Sequence, residues 1–122
     1  MKVGFVYDPI YLKHDTGHHV EIAKRLEAII SHLERTGLKQ QLTAIRPGAA
    51  SIEELLLVHD EQYISHIGDV AQRGGGWLDV DTVMSSNSYE AALYAVGGVI
   101  RATEAVMNGL RVLVTTPATT EL

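Results

Sequence analysis

Hydrophobic and polar positions change period several times along this chain, and each change marks an element. Lys2-Val3-Gly4-Phe5-Val6-Tyr7-Asp8 is a short apolar run closed by Asp8 and Pro9, which predicts a buried strand. A polar, histidine-rich stretch follows. Ile22, Leu26, Ile29, Ile30 and Leu33 then fall on one stripe of helical period. Thr36-Gly37-Leu38 supplies the stop, a glycine followed by an apolar residue. Leu42 to Ile45 predicts a second strand, ended by Arg46-Pro47-Gly48. Ser51-Ile52-Glu53-Glu54 has capping-box spacing and starts a short helix through Val58. Asp60 caps a further helix that runs to about Gln72.

Gly74-Gly75-Gly76 predicts a flexible break, and it lacks the lysine and hydroxyl of a phosphate loop. Asn87, with Glu90 three residues on, opens the longest helix, which ends at Asn108-Gly109. Between Ala91 and Ile100 that helix is apolar nearly all round, with small contacts at Ala91, Ala92, Ala95, Gly97 and Gly98. Such a helix is expected to be buried at close range against other elements. Leu110 to Val114 predicts a third strand. Strands alternating with helices argue for a parallel α/β sheet. Such a sheet needs both edges covered, yet only Thr115-Thr116-Pro117-Ala118-Thr119-Thr120-Glu121-Leu122 follows, a tail without a pattern.

Composition narrows the class. The 122 residues suit one domain, and 46% hydrophobic with 20% charged residues excludes a disordered chain. A net charge of -5, without a run of Lys and Arg, argues against nucleic acid and anionic membranes as partners. Zero cysteines removes disulfides, thiolate zinc sites and cysteine nucleophiles, and fits a reducing cytoplasm. The apolar start stops at Asp8, too early for a signal peptide. Ala91 to Ile100 ends at Arg101, short of the ~20 residues of a membrane span.

Candidate chemistry is sparse. His14, His18, His19 and Glu21 offer zinc-type donors, but not at the spacing of a helical zinc motif, so a polar loop is the preferred reading. Asp79 and Asp81 flank Val80 after the glycines. They suit acid-base work, a cation or a substrate backbone, against the plainer reading of a solvated loop end. Arg25 flanks the apolar stripe, either snorkelling at the surface or turned inward toward a buried anion. His59 stands at a helix boundary, and His32 and His66 read as surface or packing residues. No Gly-x-Ser-x-Gly elbow exists, so a serine hydrolase is not supported.

Tyr7-Asp8, then His14-Asp15-Thr16-Gly17-His18-His19-Val20-Glu21, then Arg25-Leu26, resemble the amino-terminal segment of the histone deacetylase superfamily. That family includes bacterial acetoin-utilisation proteins and acetylpolyamine amidohydrolases. In its His-Pro-Glu-x-Pro-x-Arg box, His19, Glu21 and Arg25 keep their places while Val20 and Ala23 replace the prolines. Ser51-Ile52-Glu53-Glu54-Leu55 with Val58-His59-Asp60-Glu61-Gln62-Tyr63-Ile64 is similar to the Glu-Glu-Leu, His-x-x-x-Tyr segment. Asp79-Val80-Asp81-Thr82, Ala91-Ala92 and Gly97-Gly98 are similar to the Asp-x-Asp-Thr loop and the Ala-rich, Gly-Gly helix. These pieces stand in family order from Tyr7 to Gly109.

The resemblance implies a three-layer arginase/deacetylase-like α/β fold, here cut to about three parallel strands in order 2-1-3 with flanking helices. It also implies a zinc-dependent amidohydrolase family, in which a metal-bound water attacks an acetyl-lysine or similar acetamide carbonyl. The family's Arg-Pro-Pro-Gly-His-His-Ala motif, its Asp-x-His and its later Asp are not among these residues. For this chain the resemblance therefore leaves no catalytic residue, no metal ligand and no cofactor of its own. It implies Asp81, or alternatively Asp79, as the rim carboxylate that holds the substrate backbone, and Arg25 as the arginine of the acetate channel. His19 and Glu21 are implied as members of the box.

Residues 1–122 are thus expected to be the amino-terminal part of one deacetylase-like domain, with 115–122 an aberrant tail. Threonine, proline and alanine codons read two bases later permit Pro-Gly-His-His at that tail. A frame-shifted, early-ended homologue without activity is the expectation, and the nucleotide sequence decides it. The alternative is a self-associating module, a homodimer or higher oligomer through the exposed third strand. A second alternative is a small metal-binding protein using His14, His18, His19 and Glu21.

Overall fold

A computed structural model describes residues 2–15, 23–78 and 83–117 of the chain. In chain order the elements are β1 (Val3–Val6), α1 (Ala23–Arg35), β2 (Leu42–Ile45), α2 (Ile52–Leu55) and α3 (Glu61–Gln72). They continue with β3 (Gly75–Trp77), β4 (Val83–Ser85), α4 (Ser88–Met107) and β5 (Arg111–Val114). Short 3-10 turns at Pro9–Lys13 and Lys39–Gln41 precede α1 and β2.

β1 is the middle of a three-stranded parallel sheet in the order β2-β1-β5. Val3 pairs with Leu42 on one side and with Arg111 on the other, and Val6 with Ile45 and Val114. This is the expected 2-1-3 arrangement, with the expected strand bounds of β2 reproduced. Phe5 packs with Tyr11, Leu26 and Ile30, the buried part of the α1 stripe. Burying a side chain such as Leu26 contributes about 1.5–3 kcal/mol. Ile29, read as part of that stripe, lies at its margin and is half-open to solvent.

α4 packs against β1, β5 and the turn at Pro9–Lys13. Its two adjacent glycines explain how it comes so near. A Cβ at Gly97 would overlap the Gly48 carbonyl oxygen, and one at Gly98 would meet the Tyr11 hydroxyl and lie 3.1 Å from Val6 Cγ1. The Ala50 amide donates to the Leu93 carbonyl at 2.9 Å, tying the loop after β2 onto the helix. The expected close-range burial between Ala91 and Ile100 is found at Ala91, Gly97 and Gly98, whereas Val99 within that stretch is exposed, as are Val106 and Met107 beyond it. Ala91, Gly97, Gly98 and Ala102 are the buried apolar positions of α4, and Tyr94 packs against the cluster around Phe5.

The three predicted helix caps differ in what they bond. Ser51 and Glu54 form the full capping box, each side chain bonded to the other's backbone amide at 3.1 and 2.9 Å. Asp60 and Asn87 occupy the capping positions of α3 and α4 but make no side-chain capping bond. Gly74-Gly75-Gly76 is not a loose break. Gly75 and Gly76 belong to β3, which pairs antiparallel with β4. Gly75 has φ +97°, and a Cβ there would run into the Met84 carbonyl, so the hairpin requires glycine. Met84 anchors the hairpin in a second cluster with Ile67, Val70 and Ala71.

Among the described residues, nothing pairs with the outer edges of β2 and β5, and Leu113 and Val114 are exposed. Past β5 the chain is still tied down: the Thr115 amide and hydroxyl both donate to the Val6 carbonyl, at 3.0 and 2.7 Å. Pro117 is fully buried. No helix among the described residues is long and apolar enough to cross a membrane.

Candidate functional site

In parallel α/β sheets, sites gather at the carboxyl ends of the strands. There β1 runs into Tyr7 and Asp8, and β5 into Thr115 and Thr116. Asp8 accepts from the Ile10 amide at 2.9 Å and so starts the 3-10 turn that folds back over α4. Tyr11, on that turn, is fully buried and donates to the Tyr94 carbonyl at 3.3 Å. Burial, helped by the charge of Asp8, pushes its phenol up to about 12. Tyr7 stacks on Phe5 and meets Tyr11 edge-on. Its phenol is likewise raised, first by burial and then by Asp8, Glu27 and Glu34.

Arg25, in the first turn of α1, is exposed and reaches the end of β5, where its Nη2 donates to the Thr116 carbonyl at 3.3 Å. His19, Glu21, Asp79 and Asp81 lie outside the described residues, as does His18. The chain positions of the two aspartates put them in the connection between β3 and β4.

His14 is brought somewhere the sequence did not indicate. It is buried, and its Nδ1 lies 2.6 Å from the Ser88 hydroxyl at the start of α4. Ser88 Oγ also accepts from the Ser85 amide at 2.7 Å and lies 3.1 Å from the Ser85 hydroxyl. Ser85 in turn donates to the Lys13 carbonyl and accepts from the Asp15 amide, both at 3.2 Å. Burial holds the His14 imidazole below its ordinary pKa, with Asp15 opposing part of the shift. No local pattern announces this cluster, because its partners are far apart in the chain and serines in a turn look merely polar. His59, also singled out, stacks at a tilt 5.4 Å from Tyr63, and His32 and His66 are exposed.

Among the described residues, no group of three or more His, Asp or Glu side chains is placed to hold a metal ion. The described residues by themselves do not supply the donor set of a zinc centre.

Comparison with known proteins places this geometry. The family pattern described as Histone deacetylase domain matches residues 19–118, most of the chain. The chain belongs to the histone deacetylase family. Within that matched span lie Arg25, His19, Glu21, Asp79 and Asp81. A probable deacetylase of Methanothermobacter thermautotrophicus is 34% identical over 103 residues, covering 84% of this chain and 30% of that protein. A probable deacetylase of Archaeoglobus fulgidus is 34% identical over 111 residues, covering 88% of this chain and 31% of that one. Human histone deacetylase 7 is 33% identical over 125 residues, with 79% of this chain and 13% of the human protein covered. The chain thus spans about a third or less of the relatives it matches. The crystal structure of the HDA15 HD domain superposes with a TM-score of 0.83 at 22% identity, covering 89% of this chain and 33% of that one. That likeness establishes the deacetylase-type α/β fold.

Proposed function

We propose that these residues form the amino-terminal portion of a deacetylase-type domain acting on acetyl-lysine or similar acetamides, and that alone they do not turn over such substrates. One observation carries the reading. Arg25 reaches the carboxyl end of β5, the strand after which the family resemblance puts the catalytic motif, and holds the Thr116 backbone there. In this reading Arg25 belongs to the channel that receives acetate. Asp81, or alternatively Asp79, is the rim carboxylate that grips the substrate backbone, and His19 and Glu21 keep the box in shape.

The inactivity follows from chemistry. Hydrolysis of an amide in this family needs a bound metal to activate water, and the sequence contains no Asp-x-His triplet. The test is an acetyl-lysine peptide assay on the purified chain with added zinc. Release of acetate at the buffer rate is expected; clear turnover would overturn the proposal. The open edge of β5, with Leu113 and Val114 exposed, favours a second reading in which the chain associates with a second copy of itself.

A further inference from the structure

The cluster around Ser88 contains two hydroxyls, and counting their protons fixes who donates to whom. The Lys13 carbonyl can only accept, so the single hydroxyl proton of Ser85 is committed to it across 3.2 Å. The 3.1 Å contact between the two hydroxyls then requires the proton of Ser88. Ser88 has nothing left to offer the imidazole, and the proton in the 2.6 Å contact with His14 has to come from Nδ1. Each serine oxygen ends with one proton given and two received: Ser88 from His14 and the Ser85 amide, Ser85 from Ser88 and the Asp15 amide. The opposite tautomer would leave the contact between the hydroxyls without a proton.

We infer that His14 carries its proton on Nδ1 and is a positioning residue, at the head of a one-way chain His14 to Ser88 to Ser85 to the Lys13 carbonyl. The chain clasps Lys13–Asp15, which leads into the segment holding His19 and Glu21, to the end of β4, which leads out of the segment holding Asp79 and Asp81. Calling those segments the substrate rim rests on the proposed function; the clasp itself does not. Burial of the ring, which disfavours its charged form, leaves Nε2 as the bare nitrogen.

The test is nitrogen-15 NMR of the labelled 122-residue chain near neutral pH, reading which ring nitrogen of His14 bears the proton. Nδ1 with the signature of a protonated nitrogen and Nε2 with that of a bare one is expected; the reverse overturns the inference. A second measurement follows exchange of the Ser85 amide, which donates to Ser88. In His14→Phe, which removes the donor, exchange should speed up about tenfold. In His14→Asn, whose amide nitrogen takes the place of Nδ1, it should return to the parent rate. Unchanged exchange in the phenylalanine variant, or no rescue by asparagine, sinks the positioning role. The readouts do not involve turnover, so failure here and failure of the deacetylase reading are told apart.

Discussion

The close approach of α4 to the loop after β2 makes a sharp test of the packing. Alanine at Gly97 puts a methyl group onto the Gly48 carbonyl oxygen, 2.8 Å from its carbon and 3.2 Å from the Ala50 nitrogen. These are backbone atoms, and the Ala50 amide is already bonded to Leu93 on the same helix, so the loop cannot step aside and keep that bond. Overpacking costs about 1–3 kcal/mol. The strained hydrogen bond costs about 1 kcal/mol more, and alanine regains about 1 kcal/mol over glycine inside a helix. The net loss is about 1–3 kcal/mol, or a fall in melting temperature of roughly 4–12 °C for a domain of this size. Gly68 on α3 is the control. A Cβ there meets nothing nearer than the Tyr89 ring at 3.9 Å, so Gly68→Ala should raise the melting temperature by roughly 2–4 °C. Thermal unfolding followed by helical circular dichroism reads both. Gly97→Ala melting at or above the parent would refute the argument that glycine is there for contact.

Acid should weaken the fold through His14. Its folded pKa lies below the unfolded value, so the unfolded chain takes up the proton first as pH falls through about 6.5. Its contribution is therefore full above that pH and declines below it, until the folded ring also protonates. Urea midpoints at pH values on either side of 6.5 should differ more in the parent than in His14→Asn; equal differences would contradict the assignment. Leu113, on the open edge of β5, should report on self-association. Light scattering at micromolar concentration is expected to give a dimer or larger species in the parent and a monomer in Leu113→Lys, and a monomeric parent removes the second reading.

The strands were legible because their signals are local. Leu42–Ile45 stands between a glycine stop and Arg46-Pro47-Gly48, and those bounds survive in β2. Gly37 takes a φ of +77°, as a glycine stop requires. The capping box at Ser51 was readable for the same reason. What failed depends on partners distant in sequence. Gly75 looked like a break because its companion, the Met84–Ser85 backbone, lies in another segment. In α4 the close approach was legible from its small residues, but composition cannot say that Gly97 faces a neighbour and Val99 faces water. Arg25 was singled out by its place in a motif, but its bond to Thr116 was not foreseeable. The bond of His14 to Ser88 was equally out of reach, since that partner is contributed by the opposite half of the chain.

The central place of β1 has a consequence for how this protein comes to be made. Val3 is synthesised well before its sheet neighbour Arg111. Until then the inner strand has one flank without hydrogen-bond partners, while α1 and α3 are already free to coil. Pairings of such long sequence separation are slow to close and expose sticky intermediates. The second flank of β1 therefore closes only when the residues of β5 are present.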